Sequence, residues 1–356
     1  MKPRILFQSH NRRGLGHLMR GLNLARAIHR LDGETEIVFH ARNASAEEMC
    51  RPLFRAIVES ESSPSTHWAE VVRALRPDVV VYDTMLPNDP SEALLTASAR
   101  RVFVMRKVKE DKQDTLLSHP FLDHIDVVII PHTRDEFGQD LPPSLDARSA
   151  FVGPIVRMPD PTRQTGLRAR YGLQPGEFLL TSTVGGGGFA EQAEAFFEAV
   201  YGIHQAVRTV VPRLRHLVIQ GPNFQRALAA APGMTVVPYE PDLIDLLAIS
   251  DLVIAEGGYN TVHEIRVART PAVFLPSSRN LDDQEERVRM LERRGLGAVF
   301  AGVDTTSVAR GVADLCAHPA WFSDVRRRYA TDELHTGNVE AAQRILALAR
   351  ATGEGA

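Results

Sequence analysis

Several features are scarce in this sequence, and each absence excludes a class of protein. The two cysteines, Cys50 and Cys316, lie far apart without metal-ligand spacing, which fits a reducing cytoplasm better than a disulfide-stabilised secreted domain. No apolar run approaches the roughly 18 residues that a membrane-spanning helix needs. The formal net charge of -3 gives no overall attraction to nucleic acid or to an anionic membrane. We therefore expect a globular cytoplasmic protein without a nucleic-acid partner or an integral membrane segment.

Short apolar runs alternate with amphipathic helical stretches along the chain. The runs are rich in Val and Ile and apolar on both faces, which is typical of parallel strands covered by helices. In the first half, the predicted strands are residues 5–8, 36–40, 56–59, 79–82, 102–105 and 127–130. In the second half, they are residues 178–183, 216–220, 235–238, 252–255, 272–275 and 298–300. The alternation predicts an α/β fold with doubly wound parallel sheets.

The alternation breaks once, between residues 153 and 165, where three prolines and no periodicity indicate a linker. We therefore predict two Rossmann-like domains, an N-terminal one at residues 1–155 and a C-terminal one at residues 162–335. A final helix at residues 338–352 is expected to pack back on the first domain. Two such domains should face each other across a cleft, with the carboxyl ends of both sheets turned toward it.

The stretch 252–265 carries the most information. A buried strand stops at Glu256, turns through Gly257 and Gly258, and enters a helix at about Tyr259. Backbone N–H groups at such a helix N-terminus suit an anion such as a pyrophosphate. Glu264, further along the helix, can accept hydrogen bonds from two ribose hydroxyls. The alternative is an ordinary strand–turn–helix unit whose glycine pair only makes the turn.

The loop after the first strand contains Gly14 and Gly16, which allow close approach of the backbone to a ligand. His17 opens the next helix and is a candidate base for an acceptor hydroxyl, because the pKa of histidine lies near operating pH. Asp83 ends a buried strand of the same domain and is a candidate partner that orients the imidazole. The alternatives are a capping or exposed histidine and an aspartate that caps the following turn.

Two further residues of this loop, His10 and Arg20, are weaker candidates. An arginine in the first turn of a helix is commonly just a solvated charge.

Four consecutive glycines at residues 185–188 join a strand to a helix. Four glycines cost backbone entropy, so a purely structural turn seldom needs them, and a nest of N–H groups for phosphate is the better interpretation. The segment is neither a Walker loop nor a dinucleotide fingerprint. Gly186 and Gly187 are the central candidates.

Two further loops follow strands of the second half. In residues 237–244, backbone groups can pair with a nucleobase edge near Tyr239, Glu240 and Leu243; the alternative is a plain proline-bounded loop. In residues 276–287, Asp283 and Gln284 form an acid–amide pair able to hold sugar hydroxyls. The alternative there is a charged helix start, because acidic residues favour first turns.

Together these motifs resemble those of the GT-B glycosyltransferases, above all the family of the peptidoglycan N-acetylglucosaminyltransferase MurG. The resemblance covers most of the chain and is strongest between residues 249 and 294. It is carried by residues 14–17, 185–188, 257–264 and 283–284. It implies that the N-terminal domain binds the acceptor and the C-terminal domain binds the nucleotide sugar.

The resemblance also implies roles for single residues. Glu264 would bind ribose, His17 would be the base of an inverting transfer, and Asp283 with Gln284 would contact the donor sugar. The residues implied to line the diphosphate are Gly186, Gly187, Gly258, Asn260 and Thr261.

We therefore expect an inverting, metal-independent transfer from a nucleoside-diphosphate sugar, with UDP favoured and no further cofactor. The N-terminal half shows no hydrophobic docking patch for a membrane, so the expected acceptor is a soluble small molecule such as a metabolite or antibiotic precursor. Residues 14–20 also resemble the nucleotide-sugar hydrolase of pseudaminic acid synthesis, which would release free sugar without an acceptor. A related 2-epimerase would interconvert the donor, and a non-catalytic binding protein would turn nothing over. The sequence gives no oligomeric state.

Overall fold

The computed structural model describes residues 2–10, 14–42, 45–51, 53–59, 64–280 and 282–353. The chain divides into two units. Unit 1 comprises Met1–Val156 together with His335–Ala356, and unit 2 comprises Arg157–Leu334.

Unit 1 contains a parallel sheet of seven strands in the order β3-β2-β1-β4-β5-β6-β7. The strands are β1 (Arg4–Ser9), β2 (Glu36–Ala41), β3 (Arg55–Val58), β4 (Val79–Asp83), β5 (Arg100–Val104), β6 (Val127–Ile130) and β7 (Ser149–Phe151). The helices are α1 (Gly16–Leu31), α2 (Ala46–Cys50), α3 (Pro64–Leu75), α4 (Ser91–Leu95), α5 (Glu110–Leu117), α6 (Arg134–Phe137), α7 (Pro143–Asp146), the 3-10 helix Pro120–His124 and the C-terminal helix α15 (Asn338–Gly353).

Unit 2 contains a parallel sheet of six strands in the order β10-β9-β8-β11-β12-β13. The strands are β8 (Phe178–Thr183), β9 (Leu214–Ile219), β10 (Met234–Val237), β11 (Leu252–Ala255), β12 (Ala272–Phe274) and β13 (Ala298–Val299). The helices are α8 (Pro161–Arg170), α9 (Ala190–Val210), α10 (Leu243–Ile249), α11 (Tyr259–Ala268), α12 (Gln284–Arg293), α13 (Thr305–Cys316) and α14 (Pro319–Thr331). The prediction of two doubly wound parallel sheets is confirmed.

Both faces of the unit 1 sheet are buried, which explains its continuous apolar strands. In β1, Ile5 and Phe7 belong to one buried cluster and Leu6 to the other, since successive strand residues point to opposite faces. Leu22 of α1 and Ile345 of α15 cover the first face. Each fully buried side chain of this kind contributes about 1.5–3 kcal/mol through the area removed from water.

Unit 2 repeats this arrangement. Ile254 of β11 packs in a cluster with Phe197 of α9, whereas its neighbour Val253 packs on the opposite face with Ile265 of α11. The helices on both faces exclude water from the sheet, so the carboxyl edge of the strands is where polar residues can gather.

The segment 153–165, predicted as a linker, is partly helical. Helix α8 begins inside it, at Pro161, because Asp160 caps the helix by accepting from Thr162 N at 2.8 Å. An Asp at the N-cap followed by Pro at the first helical position is typical of a helix N-terminus, so the prediction of a linker was wrong for this part of the segment. Strand β7 was also not predicted; it has three residues, and of these only Ala150 is buried.

Strand order reverses once in each unit. In unit 1 the reversal lies between β1 and β4, and in unit 2 it lies between β8 and β11. In open parallel sheets, ligands bind beside the carboxyl ends of the two strands that flank such a reversal. This geometry directs attention to the loops that follow β1, β4, β8 and β11.

Candidate active site

In unit 1, His17 is the second residue of α1 and is almost completely buried. Its Nδ1 lies 3.6 Å from Oδ1 of Asp83, the last residue of β4. This distance is too long for a hydrogen bond, and Nδ1 has no hydrogen-bond partner among the described residues. The two predicted catalytic side chains are thus neighbours, but the Asp83 carboxylate accepts no hydrogen bond from Nδ1 of His17 in this structure.

The Asp83 carboxylate is instead held by Arg20. The guanidinium donates from Nε to Oδ2 at 3.0 Å and from Nη2 to Oδ1, and Nη2 also donates to Thr84 Oγ1 at 2.7 Å. Arg20 is 1% exposed, so the interpretation of this arginine as a solvated charge is wrong. Its position three residues after His17 turns it to the same side of α1, towards the end of β4.

Thr84, the residue after Asp83, has a φ of 62°, which is unusual for a β-branched residue. The conformation is held by a hydrogen bond from Thr84 N to Val104 O at 2.9 Å and by one from Thr84 Oγ1 to Asp83 Oδ1 at 2.8 Å. Backbone strain of this kind persists where the surroundings fix it and is concentrated at functional sites.

Burial lowers the pKa of His17 to about 4, and the positive charges of Arg20 and Arg106 act in the same direction. The negative charge of Asp83 opposes this shift without overcoming it. The imidazole is therefore neutral at neutral pH and has a free lone pair with which to accept a proton.

His10, a weaker candidate, belongs to a different group of side chains. Its Nε2 lies 2.7 Å from Nδ1 of His40, and His40 Nε2 lies 3.1 Å from Nδ1 of His67. Burial lowers the pKa of His10 to about 2, so it stays neutral within this chain of imidazoles.

The other two candidates of this loop lie beside His17. Gly14 is half-buried and Gly16 is the first residue of α1. Residues 11–13 of the same loop lie outside the described part of the chain.

In unit 2, the glycine loop 185–188 follows β8 and lies against the first turn of α11. A Cβ added to Gly185 would be 3.6 Å from Thr261 Oγ1. Gly187 has a φ of 71°, and a Cβ there would lie 2.8 Å from Cβ of Phe224. The loop therefore needs glycine at position 187 for its own conformation and packing. Gly186 lies between these two positions and is partly accessible.

The glycine pair after β11 divides into two different roles. A Cβ on Gly257 would lie 2.8 Å from the carbonyl oxygen of Gln284, so packing requires this glycine. Gly258 is the N-cap of α11 at a φ of -60°, and a Cβ there would meet nothing within 4 Å. Packing therefore does not require this glycine; Gly is a favoured N-cap residue, and the space beside this helix N-terminus has room for a ligand. Asn260 and Thr261 are the second and third residues of that helix.

Glu264 lies on α11 one and a half turns after its start. Among the described residues, no hydrogen-bond or ion-pair partner binds its side chain, although the residue is half-buried. Desolvation raises the pKa of this carboxyl to about 7, and the positive charge of Arg157 opposes the rise. A carboxylate held without a partner in a desolvated position is suited to accept hydrogen bonds from a ligand.

The loop 237–244 shows a mixed outcome. Glu240 is buried and accepts from Arg170 at 3.0 Å, from the hydroxyl of Tyr171 and from Asp242 N. Its carboxylate is thus used within the unit. Tyr239 and Leu243 are half-buried and remain placed at the end of the sheet that carries the glycine loops.

Asp283 and Gln284 both have partners within the protein. Asp283 caps α12 by accepting from Glu286 N at 2.9 Å. Gln284 is buried, and its Oε1 accepts from Gly257 N at 3.2 Å and from Ser277 N at 3.1 Å. Gln284 thus ties the glycine pair to the loop after β12, and its predicted contact with a sugar stays a prediction.

One charged pair at this edge was not predicted. Arg279, in the loop after β12, donates to Glu256 Oε2 at 2.8 Å. Burial raises the pKa of Glu256, and the charge of Arg279 opposes that rise. Glu256, an acid immediately before a glycine pair, could have been noticed in the sequence. Its partner Arg279 could not, because it lies 23 residues away in another loop.

Two features are absent from the described ranges of the chain. No group of three or more His, Cys, Asp or Glu residues is arranged to hold a metal ion. No described helix has the length and apolar character that crossing a membrane requires.

Sequence comparisons address the same region. Residues 184–322 match the model of the glycosyltransferase family 28 C-terminal domain, and this segment contains both glycine loops and Glu264. The chain is also 25% identical over 372 residues to the UDP-N-acetylglucosamine–N-acetylmuramyl-(pentapeptide) pyrophosphoryl-undecaprenol N-acetylglucosamine transferase of Symbiobacterium thermophilum, with 95% of each chain covered. The chain is a glycosyltransferase.

Solved structures show that this glycosyltransferase has the GT-B fold. The spinosyn forosaminyltransferase SpnP is similar with a TM-score of 0.65 at 15% identity, covering 98% of this chain and 100% of that chain. A structure of S. aureus MnaA with UDP is similar with a TM-score of 0.66 at 12% identity, and the match covers 97% of this chain and 95% of that chain. The predicted resemblance to the MurG family is confirmed, and the roles of single residues stay predictions.

Proposed function

We propose that this glycosyltransferase moves a sugar from a UDP-sugar to a soluble small-molecule acceptor, with inversion at the anomeric carbon and without a metal ion or other cofactor. In this proposal unit 2 binds the donor, and unit 1 binds the acceptor and supplies the base.

The donor assignment is carried by one observation. Beside the strand-order reversal of unit 2, the glycine loop 185–188 and the N-terminus of α11 lie together, and no residue in the described part of the chain binds the Glu264 side chain on that helix. Backbone N–H groups and the positive end of the helix dipole suit a diphosphate. A free carboxylate suits the two hydroxyls of a ribose. A nucleoside diphosphate presents both groups in one molecule.

Uridine is the first base to test. The relative from Symbiobacterium thermophilum carries UDP-N-acetylglucosamine in its name, and the S. aureus MnaA structure contains UDP. Thymidine is the second base to test.

In the proposed reaction, the acceptor hydroxyl gives its proton to His17 while its oxygen attacks the anomeric carbon. The bond from that carbon to the diphosphate oxygen breaks, and the electron pair leaves with the diphosphate. His17 is suited to the first step because it is neutral at neutral pH. The negative charge of Asp83 then stabilises the imidazolium that forms.

When the bond to the sugar breaks, the leaving diphosphate gains one negative charge, on the oxygen that held the anomeric carbon, and this charge needs stabilisation. We assign this task to the amides of the glycine loop and the N-terminus of α11, which act without reorganisation because the fold has already oriented them. This assignment leaves no step that requires a metal ion.

The test begins with donor binding. Thermal shift with a panel of UDP- and thymidine-diphosphate sugars identifies the donor, and mass spectrometry follows its fate with and without a library of hydroxylated small molecules. Transfer that depends on an added acceptor, remains in the presence of EDTA and gives the opposite anomer supports the proposal. Release of free sugar at the same rate with and without acceptors would instead establish a hydrolase, and binding without any turnover would establish a non-catalytic protein.

A further inference from the structure

The side chain of Arg279 contacts residues next to both glycine segments of unit 2, the loop 185–188 and the pair 257–258. Arg279 donates from Nη2 to Glu256 Oε2 at 2.8 Å, and its guanidinium carbon lies 4.0 Å from the centroid of the Phe189 ring. Glu256 directly precedes Gly257, and Phe189 directly follows Gly188. Arg279 therefore lies between the glycine loop after β8 and the glycine pair after β11.

The pair that Arg279 makes is incompletely satisfied. The Glu256 and Arg279 side chains are only 5% and 10% exposed. Glu256 Oε1 and Arg279 Nη1 are buried, and neither has a hydrogen-bond partner among the described residues. Leaving a buried polar atom without a hydrogen-bond partner costs folding free energy. Such an atom therefore calls for an explanation, and one explanation is a ligand that supplies the missing partner.

We infer that Arg279 is a further donor-binding residue whose guanidinium binds the diphosphate, and that Glu256 is its counter-ion in the free protein. The inference rests on the proposed function. In it, Arg279 contributes to the diphosphate site a full positive charge, which backbone amides lack. A planar guanidinium binds two phosphate oxygens at once. Stacking on Phe189 holds its plane and leaves its edge able to donate.

The two members of the pair then have opposite effects on binding. Arg279 attracts the diphosphate, whereas the Glu256 carboxylate competes for the same guanidinium and repels the anion. Loss of the arginine should weaken diphosphate binding, and loss of the carboxylate should strengthen it. A salt bridge that only fixes the loop after β12 would instead give effects of the same sign.

The experiment measures dissociation constants of UDP and thymidine diphosphate by calorimetry, and of uridine and thymidine by NMR titration, for the full chain and its variants. Arg279→Gln should weaken binding of the diphosphate about tenfold or more and leave nucleoside binding within about twofold, since only the diphosphate carries the charge. Glu256→Gln should tighten diphosphate binding. Arg289→Gln on α12, which removes an exposed arginine paired with Glu285 and Glu292, serves as the matched control and should change neither constant.

Each outcome has a definite meaning. Unchanged diphosphate binding in the Arg279→Gln variant overturns the inference, as does equal weakening of nucleoside and diphosphate by both variants. If Arg279→Gln does not fold, Arg279→Lys and Glu256→Gln decide. The lysine keeps the charge but loses the two-point contact, so it should weaken diphosphate binding by less than about tenfold, and Glu256→Gln should tighten it. Failure of the wild type to bind any diphosphate overturns the donor site itself, whereas tight binding without turnover overturns the proposed function and leaves the role of Arg279 intact.

Discussion

Units 1 and 2 place their candidate residues at equivalent positions, after β1 and β4 in one and after β8 and β11 in the other. The chemistry at these positions differs. In unit 1 the strand ends carry buried charged and titratable side chains, with Arg20, Asp83 and His17 packed against one another. In unit 2 they carry glycines and backbone amides beside the buried pair of Glu256 and Arg279, and no described residue binds the carboxylate of Glu264 on the helix that follows β11.

This difference shows that the position of a binding site and the kind of ligand it binds have separate structural causes. The order of the strands decides where a ligand binds, because the connections diverge only at the reversal. The loop residues decide the kind of ligand. Preformed side-chain pairs in unit 1 suit proton transfer, and open backbone in unit 2 suits an extended anion.

The largest expected effect concerns His17. We expect His17→Ala to lower the rate of transfer by about 10²–10⁴-fold, the usual contribution of a general base, and to leave donor binding unchanged. Single-turnover kinetics and UDP titration measure the two quantities. His29→Gln, in the same helix α1, is the control and should retain activity. If the His17 variant transfers sugar at the wild-type rate, the assignment of the base to unit 1 is wrong.

The second prediction tests the buried charges of unit 1. Arg20→Gln leaves the buried Asp83 side chain without its main partner, which should destabilise unit 1 by about 3–5 kcal/mol. The chain has one tryptophan in each unit, Trp68 and Trp321. In a Trp321→Phe background, the fluorescence of Trp68 during denaturant unfolding reports on unit 1 alone.

The matched control for Arg20 is an exposed pair in the same unit. Arg344→Gln removes a helix-surface contact with Glu340 and should change stability by less than about 1 kcal/mol. Equal effects of the two substitutions would show that the Arg20–Asp83 pair adds nothing beyond an ordinary surface contact.

The third prediction concerns the free carboxylate of unit 2. Glu264→Gln should weaken UDP binding by about 1–3 kcal/mol, the scale for removing a charged hydrogen-bond partner, without slowing the chemical step to the same extent. The effect should be as large for uridine as for UDP, because the ribose is common to both. Loss confined to UDP would place Glu264 at the diphosphate instead.

The same carboxylate gives a pH dependence with a definite sign. Its pKa is raised to about 7, so ionisation, which ribose binding favours, is incomplete below that pH. Wild-type affinity for UDP should rise as the pH increases through about 7 and then level off, and Glu264→Gln should flatten this rise. The stability contribution has the opposite sign. Because the folded pKa lies above its ordinary value, ionisation opposes folding, and the stability of unit 2 should decline as the pH rises through this range.

The smallest expected effect separates the two glycines after β11. Gly258→Ala should change the thermal midpoint little, because its Cβ meets nothing and the restriction of the unfolded chain by alanine offsets its poorer fit at the N-cap. It should nevertheless weaken UDP binding if a ligand occupies that space. Gly257→Ala should lower the midpoint, because its Cβ would collide with the Gln284 backbone. Unchanged UDP binding by Gly258→Ala would move the diphosphate away from the N-terminus of α11.

Much of the fold was predictable because its signals are local. Strands that are buried on both faces, such as β8 and β11, are continuous apolar runs, and their predicted bounds match the structure. Strand β7 was missed because three residues at a sheet edge carry almost no pattern. The start of α8 differs from the prediction because prolines are typical of linkers as well as of first helical positions, and only the cap by Asp160 before Pro161 separates the two.

The sequence by itself determined where the chain must turn and which turns expose backbone, because glycine content and strand endings are properties of neighbouring residues. Only the tertiary structure decided which side chains are paired and which are left open to a ligand. Arg20 meets Asp83 across 63 positions, and Arg279 meets Glu256 across 23. These pairs form because parallel strands bring distant segments to one edge of a sheet, where burial makes an unpaired charge costly and a paired one persistent.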